Sequence, residues 1–155
     1  MSHGGTVREM YGSSLGRVMS TGPADVTAVY FYGTININIS GGVINDNVYG
    51  AGAGGATGYH LNSTDQYRAI GISYATSTNI TMTGGTVNGN IYGGGYGYTE
   101  LLTLTYTITD AGALYGNSNI SILGGTVTGN IYGAGRGTNI YGTTRAALAQ
   151  MIRKY

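Results

Sequence analysis

The chain has 155 residues, of which 30 are glycine and 15 tyrosine, with one proline and no cysteine. Charged residues make up 8% of it and the formal net charge is +1, so it offers no strong field for nucleic acid or anionic lipid. The lack of cysteine excludes a disulfide scaffold, thiolate chemistry and a Cys-based zinc site. No stretch approaches the roughly 18–20 apolar residues of a membrane span, and no signal peptide is visible.

A glycine-rich unit recurs along the chain. Its Gly-Gly pairs begin at positions 4, 41, 84 and 124, so successive units are 37, 43 and 40 residues apart. The unit cores lie near 4–12, 36–54, 79–97 and 119–137, and we call them the first to fourth repeats. The first repeat is a half-unit that lacks its leading strand. Periods of this size are typical of solenoids, in which each unit buries its apolar face against the next.

Each unit has the periodicity of strands rather than of helices. In Asn79–Thr83 the apolar Ile80 and Met82 alternate with polar residues, which predicts a strand with one buried face. The Gly-Gly pair then predicts a tight corner, because glycine reaches positive φ without steric cost. A second strand is predicted over Thr86–Tyr92, with Val87, Gly89 and Ile91 on one face and Thr86, Asn88, Asn90 and Tyr92 on the other. The variable segments offer one more strand each: Val26–Tyr32, Ala69–Ala75 and Leu101–Thr109.

Stacking the repeats about 4.8 Å apart would bring identical positions into contact. We therefore expect apolar columns inside, hydrogen-bonded asparagine ladders outside and one column of stacked aromatic rings. The apolar columns are Ile37, Ile80 and Ile120, and Ile39, Met82 and Ile122; the ladders are Asn36, Asn79 and Asn119, and Asn47, Asn90 and Asn130; the aromatic column is Tyr11, Tyr49, Tyr92 and Tyr132.

The third repeat reads Asn79-Ile-Thr-Met-Thr-Gly-Gly-Thr-Val-Asn-Gly-Asn-Ile-Tyr-Gly93. This phrase resembles the repeat of Gly-rich, adhesin-like β-strand-repeat proteins of bacterial and archaeal surfaces, which are similar to autotransporter passenger domains. The resemblance covers the repeat cores, under half of the chain. It implies a right-handed parallel β-helix, here of about three and a half turns of about 40 residues, and a cell-surface or matrix role in adhesion or scaffolding. It carries over no catalytic residues.

The two ends of the chain differ from its middle. Residues 1–142 form the predicted β-solenoid, and residues 143–155 predict a short capping helix with Thr143 or Thr144 at its N-cap. Such a cap would cover the unpaired strand edges of the last turn. The N-terminal turn has no equivalent. We therefore expect either the C-terminal end of a longer solenoid or a subunit whose bare first turn pairs with another molecule, giving homo-oligomers or fibres.

Few residues suggest chemistry. Right-handed β-helices often carry polysaccharide lyases or hydrolases, whose sites need neighbouring carboxylates, and Asp65, Glu100 and Asp110 lie in successive loops. None of the three shares a repeat position with another, which favours solvated loop carboxylates. His3 and His60 are isolated, so neither a metal site nor a triad is predicted, and no cofactor is expected.

Tyrosines outside the repeat column are the main candidates for a binding surface. Tyr96, Tyr98 and Tyr106 could contact a glycan or a host-surface protein, because a phenol combines apolar area with a polar group. The alternative is packing over the glycine-rich segments or self-association. The sequence thus favours a non-catalytic, extracellular or cell-surface structural or adhesion module that self-assembles by stacking, with a carbohydrate-active β-helix enzyme as the alternative.

Overall fold

The computed structural model describes residues 4–13, 26–56, 68–73, 76–99 and 113–137. In these ranges the chain forms strands and no helix. The expected capping helix at 143–155 and the strand at Leu101–Thr109 lie outside the described residues. The strands are β1 (Thr6–Val7), β2 (Met10–Tyr11), β3 (Val26–Phe31), β4 (Thr34–Ile44), β5 (Val48–Tyr49), β6 (Ala53–Ala56), β7 (Arg68–Ser73), β8 (Ser77–Val87), β9 (Ile91–Tyr92), β10 (Tyr96–Thr99), β11 (Ala113–Leu114), β12 (Asn117–Ile122), β13 (Thr126–Val127), β14 (Ile131–Tyr132) and β15 (Arg136–Gly137).

The strands form three sheets whose neighbours come from successive repeats. The first sheet has the order β1-β4-β8-β12 with β13 also beside β8, and the second has β14-β9-β5-β2. The third has β11-β7-β6-β10-β15 with β3 beside β7. All pairings in the described residues are parallel except one bridge between Gly55 of β6 and Ala69 of β7. The structure confirms the predicted all-β class, with parallel sheets.

The register of the first sheet places equivalent positions side by side. Asn36 pairs with Asn79, Ile37 with Ile80 and Ile39 with Met82. The same alignment continues from β8 to β12, where Ile120 pairs with Ile80 and Ile122 with Met82. The spacing read from the Gly-Gly pairs is therefore the spacing of the strand pairing.

The Gly-Gly pair separates two strands, as predicted, only in the fourth repeat, where Gly124 and Gly125 lie between β12 and β13. In the second and third repeats the pair lies inside β4 and β8, each a single strand of 11 residues. The second glycine of the pair has φ of +82° at Gly42 and +88° at Gly85, and the pairing of β4 with β8 shifts register on either side of Ser40. One residue with positive φ bends the strand as a bulge does, and the ladder resumes beyond it.

The predicted strand Thr86–Tyr92 is divided in two. β8 ends at Val87 and β9 begins at Ile91, and at the bend between them a Cβ on Gly89 would lie 2.5 Å from the carbonyl oxygen of Asp46 in the preceding repeat. Val87 and Ile91 on either side of this bend both belong to the core cluster. Tyr92 is buried too, in the stack between Tyr49 and Tyr132 rather than in that cluster.

The core lies behind the inward faces of β4, β8 and the short strands that follow them. Ile37, Ile39, Ile80 and Met82 are all buried, and Ile120 packs against the same cluster. Ile122 in the same column is 37% exposed. It belongs to β12, which ends the strand order of the first sheet in the described chain, and no described strand covers it on the far side.

Candidate functional site

The first asparagine ladder runs along the outer face of β4, β8 and β12. Asn79 Nδ2 donates to Asn36 Oδ1 at 2.9 Å, and Asn119 Nδ2 donates to Asn79 Oδ1 at 3.0 Å. Each side-chain amide therefore donates toward the preceding repeat and accepts from the following one. The ladder has a direction, and its two ends differ chemically.

The second ladder satisfies backbone groups at the bend between the first and second sheets. Asn47 is buried, and its Oδ1 accepts from the backbone N–H of Asn90 at 2.9 Å and from Asn90 Nδ2 at 3.1 Å. Asn90 Oδ1 in turn accepts from the backbone N–H of Asn130 at 2.8 Å. Because buried N–H groups without partners are costly, an asparagine at this position stabilises the bend of the next repeat.

Glu9 occupies the position of this ladder in the first repeat, since Met10 pairs with Val48. A carboxylate can only accept hydrogen bonds. Its Oε1 lies 3.5 Å from Asn47 Nδ2, which also donates to Asp46 Oδ1 at 2.7 Å. The ladder therefore begins at Asn47, and the first repeat is held differently from the others.

Four tyrosines stack on one another in the second sheet. The ring centroids are 5.1 Å apart between Tyr11 and Tyr49, 5.0 Å between Tyr49 and Tyr92, and 5.0 Å between Tyr92 and Tyr132. The ring planes are within 12° of parallel. The spacing matches that of adjacent strands, so each repeat contributes one ring in the same position. Tyr49 is fully buried inside this column, whereas Tyr132 at its end is exposed.

The third sheet adds further contacts to the column. Tyr96 stacks on Tyr49 with centroids 5.4 Å apart, and the Arg136 guanidinium lies 5.2 Å from the centre of the Tyr96 ring. Arg136 Nη1 also donates to the Tyr49 hydroxyl at 3.1 Å. These contacts join the second, third and fourth repeats through side chains, in addition to the backbone ladder.

Burial sets the ionisation of these phenols. It raises the pKa of Tyr49 to about 12, although the hydrogen bond from Arg136 acts in the opposite direction. Burial, followed by the hydrogen bond to Glu9 Oε2 at 2.6 Å, raises the pKa of Tyr11. Phenols this far from ionisation are neutral at physiological pH, so they act here as packing and hydrogen-bonding groups.

A glycine follows each stacked tyrosine and lets the repeats approach closely. A Cβ on Gly12 would collide with the carbonyl oxygen of Gly50, and a Cβ on Gly50 with that of Gly93. A Cβ on Gly133, in the fourth repeat, would meet nothing within 4 Å. The Tyr-Gly sequence thus combines an aromatic stack with a backbone contact that excludes larger residues.

The structure brings together the ladder positions but leaves most of the suggested surface residues undescribed. Tyr96 is half-buried in the contacts given above. Tyr98 has its backbone in β10, while its side chain is outside what the structure describes. Also outside lie Tyr106, the carboxylates Asp65, Glu100 and Asp110, and the histidines His3 and His60.

The described residues offer neither a cluster of metal-binding side chains nor a helix that could span a membrane. They hold no group of three or more His, Cys, Asp or Glu side chains placed to bind a metal ion. Among these same residues there is no helix with the length and apolar character needed to cross a membrane.

Sequence reasoning missed Thr78, Arg136 and the end position of Glu9. Thr78 is fully buried and donates to the Gly93 carbonyl at 2.7 Å, and it pairs with Ile35 and Ser118 of the neighbouring repeats. Because Ile35, Thr78 and Ser118 differ in chemical type, an alignment of the repeats does not mark this position as a column. Glu9 could have been found from the sequence. It precedes Met10-Tyr11-Gly12, whereas in the other three repeats an asparagine precedes the equivalent apolar residue, tyrosine and glycine.

No protein-family model, curated protein or solved structure matches this chain.

Proposed function

We propose that the chain is a right-handed parallel β-helix of about three and a half turns of about 40 residues. The support is the strand order: the chain passes from the first sheet to the second and the third and then returns to the first beside its previous strand. Connections between parallel strands of one sheet are right-handed in nearly all proteins. The resemblance of the repeat to Gly-rich, adhesin-like β-strand-repeat proteins points to the same architecture.

The proposed role is that of a non-catalytic structural or adhesion module, extracellular or at the cell surface. The observation that carries it is the like-on-like stacking of the repeat residues, above all the four tyrosines 5.0–5.1 Å apart. The residues that recur in this sequence contact their own counterparts in the next repeat, and such contacts build a scaffold. The segments between repeats differ in sequence and are the places where binding specificity would be encoded.

The proposed partners are other molecules of this chain and surface ligands, either a glycan or a host-surface protein. A chain with 8% charged residues presents hydroxyl, amide and phenol groups rather than charges, which is the polar chemistry that sugars bind. Self-assembly would use the strands at an end of the stack, such as β12 and β14, whose Ile122 and Tyr132 side chains are 37% and 43% exposed.

Labelling of intact cells tests this role. An antibody raised against the purified chain should label unpermeabilised source cells as strongly as permeabilised ones, and the purified chain should bind a glycan array or host-cell surface saturably. Labelling restricted to permeabilised cells would overturn the surface assignment. Cleavage of a polysaccharide by the purified chain, abolished by the combined D65N, E100Q and D110N changes, would overturn the non-catalytic one.

A further inference from the structure

The tyrosine column is an unbroken path of aromatic rings in contact. The centroids of Tyr11, Tyr49, Tyr92 and Tyr132 follow one another at 5.0–5.1 Å, which is contact distance for stacked rings. Packing alone would be served by phenylalanine, yet the chain has 15 tyrosines and one phenylalanine. In a sequence without cysteine or tryptophan, the phenol is the side chain that gives up a single electron most readily. The column therefore places four oxidisable groups in line.

One end of the column is accessible from solution. Tyr132 is 43% exposed, whereas Tyr92 is 8% exposed and Tyr49 is fully buried. An oxidant in solution therefore meets Tyr132 before it can touch the two rings inside. Because electron transfer becomes faster as two groups come closer, each inner ring exchanges an electron most readily with the ring stacked on it.

The other end of the column holds a base. The Tyr11 hydroxyl donates to Glu9 Oε2 at 2.6 Å, a distance at which a proton can pass directly from donor to acceptor. A phenol that loses an electron becomes a strong acid, so a neutral phenoxyl radical forms most easily where a base can take the proton. Glu9 gives Tyr11 such a base within the chain.

The charges beside the rings favour the same end. Arg136 donates to the Tyr49 hydroxyl at 3.1 Å, and its guanidinium lies 5.2 Å from the centre of the Tyr96 ring. A positive charge opposes the removal of an electron from Tyr49 and Tyr96, whereas the Glu9 carboxylate favours its removal from Tyr11. An electron vacancy in the column is therefore most stable on Tyr11.

We propose that the tyrosine column is a one-electron relay that carries oxidation from Tyr132 to Tyr11. A one-electron oxidant, such as a high-potential metal complex, takes an electron from Tyr132. Electrons then move along the stack, through Tyr92 and Tyr49, until the missing electron is that of Tyr11, whose O–H proton moves to Glu9 Oε2. The products are the Tyr11 phenoxyl radical, a protonated Glu9 and an oxidant reduced by one electron. This activity goes beyond the proposed scaffold role and does not depend on it.

The absence of cysteine allows an oxidant to be attached at the exposed end. G133C places a thiol next to Tyr132, at a position where a Cβ meets nothing within 4 Å, and the thiol is labelled with a ruthenium polypyridyl complex. A light flash with a cobalt(III) ammine as electron acceptor turns the complex into a one-electron oxidant. A nitroso spin trap marks the radical, and tandem mass spectrometry locates the trapped residue. We expect most of the adduct at Tyr11.

Y92F in the labelled G133C chain tests the path. Phenylalanine keeps a stacked ring but is far harder to oxidise, so the gap between oxidisable rings doubles to about 10 Å and the adduct at Tyr11 should fall at least about tenfold. The matched change Y32F removes a phenol that is 74% exposed and outside the column, and it should alter the adduct less than about twofold. An unchanged Tyr11 adduct in Y92F would show direct oxidation and refute the relay.

E9Q in the same labelled chain tests the base. Glutamine keeps an oxygen that accepts from the Tyr11 hydroxyl but cannot take its proton, so the adduct at Tyr11 should fall at least about tenfold. D46N removes the same charge from a carboxylate that accepts from Asn47 Nδ2 at 2.7 Å, and it should change the adduct less than about threefold. Equal effects of E9Q and D46N would overturn the transfer of the proton to Glu9.

Two further measurements separate the relay from a structural role of the same residues. Heavy water should slow the formation of the Tyr11 radical in the labelled chain but not in its E9Q variant, because only the former moves the proton to a carboxylate. Circular dichroism of every variant establishes that the strands are retained. An adduct confined to Tyr132 in the labelled chain would refute the relay and leave the scaffold role untouched.

Discussion

The isoleucine column offers a quantitative test of stacking, because it contains the same residue in two environments. Ile80 is 1% exposed and lies between Ile37 and Ile120. Ile120 is only half-buried, with Ile80 on one side and no described strand on the other. Replacing either by alanine removes the same three carbon atoms, so any difference in the free energy of unfolding comes from the neighbours.

The magnitudes follow from burial. Three carbon atoms at about 0.8 kcal/mol each come to roughly 2.4 kcal/mol for a fully buried site. The cavity left between two flanking strands brings I80A to about 3–4 kcal/mol. For I120A about half of the transfer term applies and the site is open, so little cavity forms. We expect a cost of about 1–1.5 kcal/mol.

Urea unfolding followed by far-ultraviolet circular dichroism and by tyrosine fluorescence measures both costs. Coincident transitions establish that a single free energy describes the chain. Equal costs for I80A and I120A, within about 0.5 kcal/mol, would refute the reasoning, since they would show that a strand on each side contributes nothing at this column. A cost below about 1 kcal/mol for I80A would refute it as well, because a buried isoleucine cannot lose so little.

Three further predictions concern the other columns. G50A should destabilise the chain by more than about 2 kcal/mol in urea unfolding, because its Cβ meets the Gly93 carbonyl, while the matched G133A, whose Cβ meets nothing within 4 Å, should change stability by less than about 0.5 kcal/mol. N79A breaks two ladder bonds and should cost about 1–2 kcal/mol, against about half of that for N36A, which breaks one; equal costs would contradict the ladder. The pKa of Tyr49 is raised to about 12 in the folded chain, so the unfolded chain loses this proton at lower pH. The free energy of unfolding should therefore stay constant up to about pH 10 and fall as the pH rises toward 12. An unchanged free energy of unfolding through that window would show that this phenol is solvated.

The columns were predictable because the repeat cores align without gaps. Once Ile37, Ile80 and Ile120 occupy one position of a repeat with strand periodicity, parallel stacking is the arrangement that places them together, and the observed pairing has that register. The same holds for the tyrosine column. When the same residue recurs at equivalent positions of a stacked repeat, its neighbours can be predicted without knowing how the chain turns between the strands.

The local path of the chain was less predictable, because it depends on contacts between repeats. Gly89 looks like a strand residue within Thr86–Tyr92, yet β8 ends at Val87 and β9 begins at Ile91, and Gly89 lies against the Asp46 carbonyl at the bend between them. For the Gly-Gly pair the backbone conformation was predictable, but its effect on the strand was not. Positive φ at Gly42 and Gly85 was foreseeable, but whether it ends a strand or bends one is decided by the neighbouring strand that continues the ladder beyond it.

A ladder of identical side chains has a consequence for how such a chain can associate. Asn79, the internal member of the first ladder, both donates and accepts, so within the described residues the ladder ends in a donor at Asn36 and an acceptor at Asn119. A two-fold dimer through either end would place two donors or two acceptors opposite one another and would reverse the parallel strands. A head-to-tail contact satisfies both groups and leaves the same two ends free, so it repeats without closing. In the self-assembly proposed above, the ladder would therefore favour head-to-tail filaments over closed dimers.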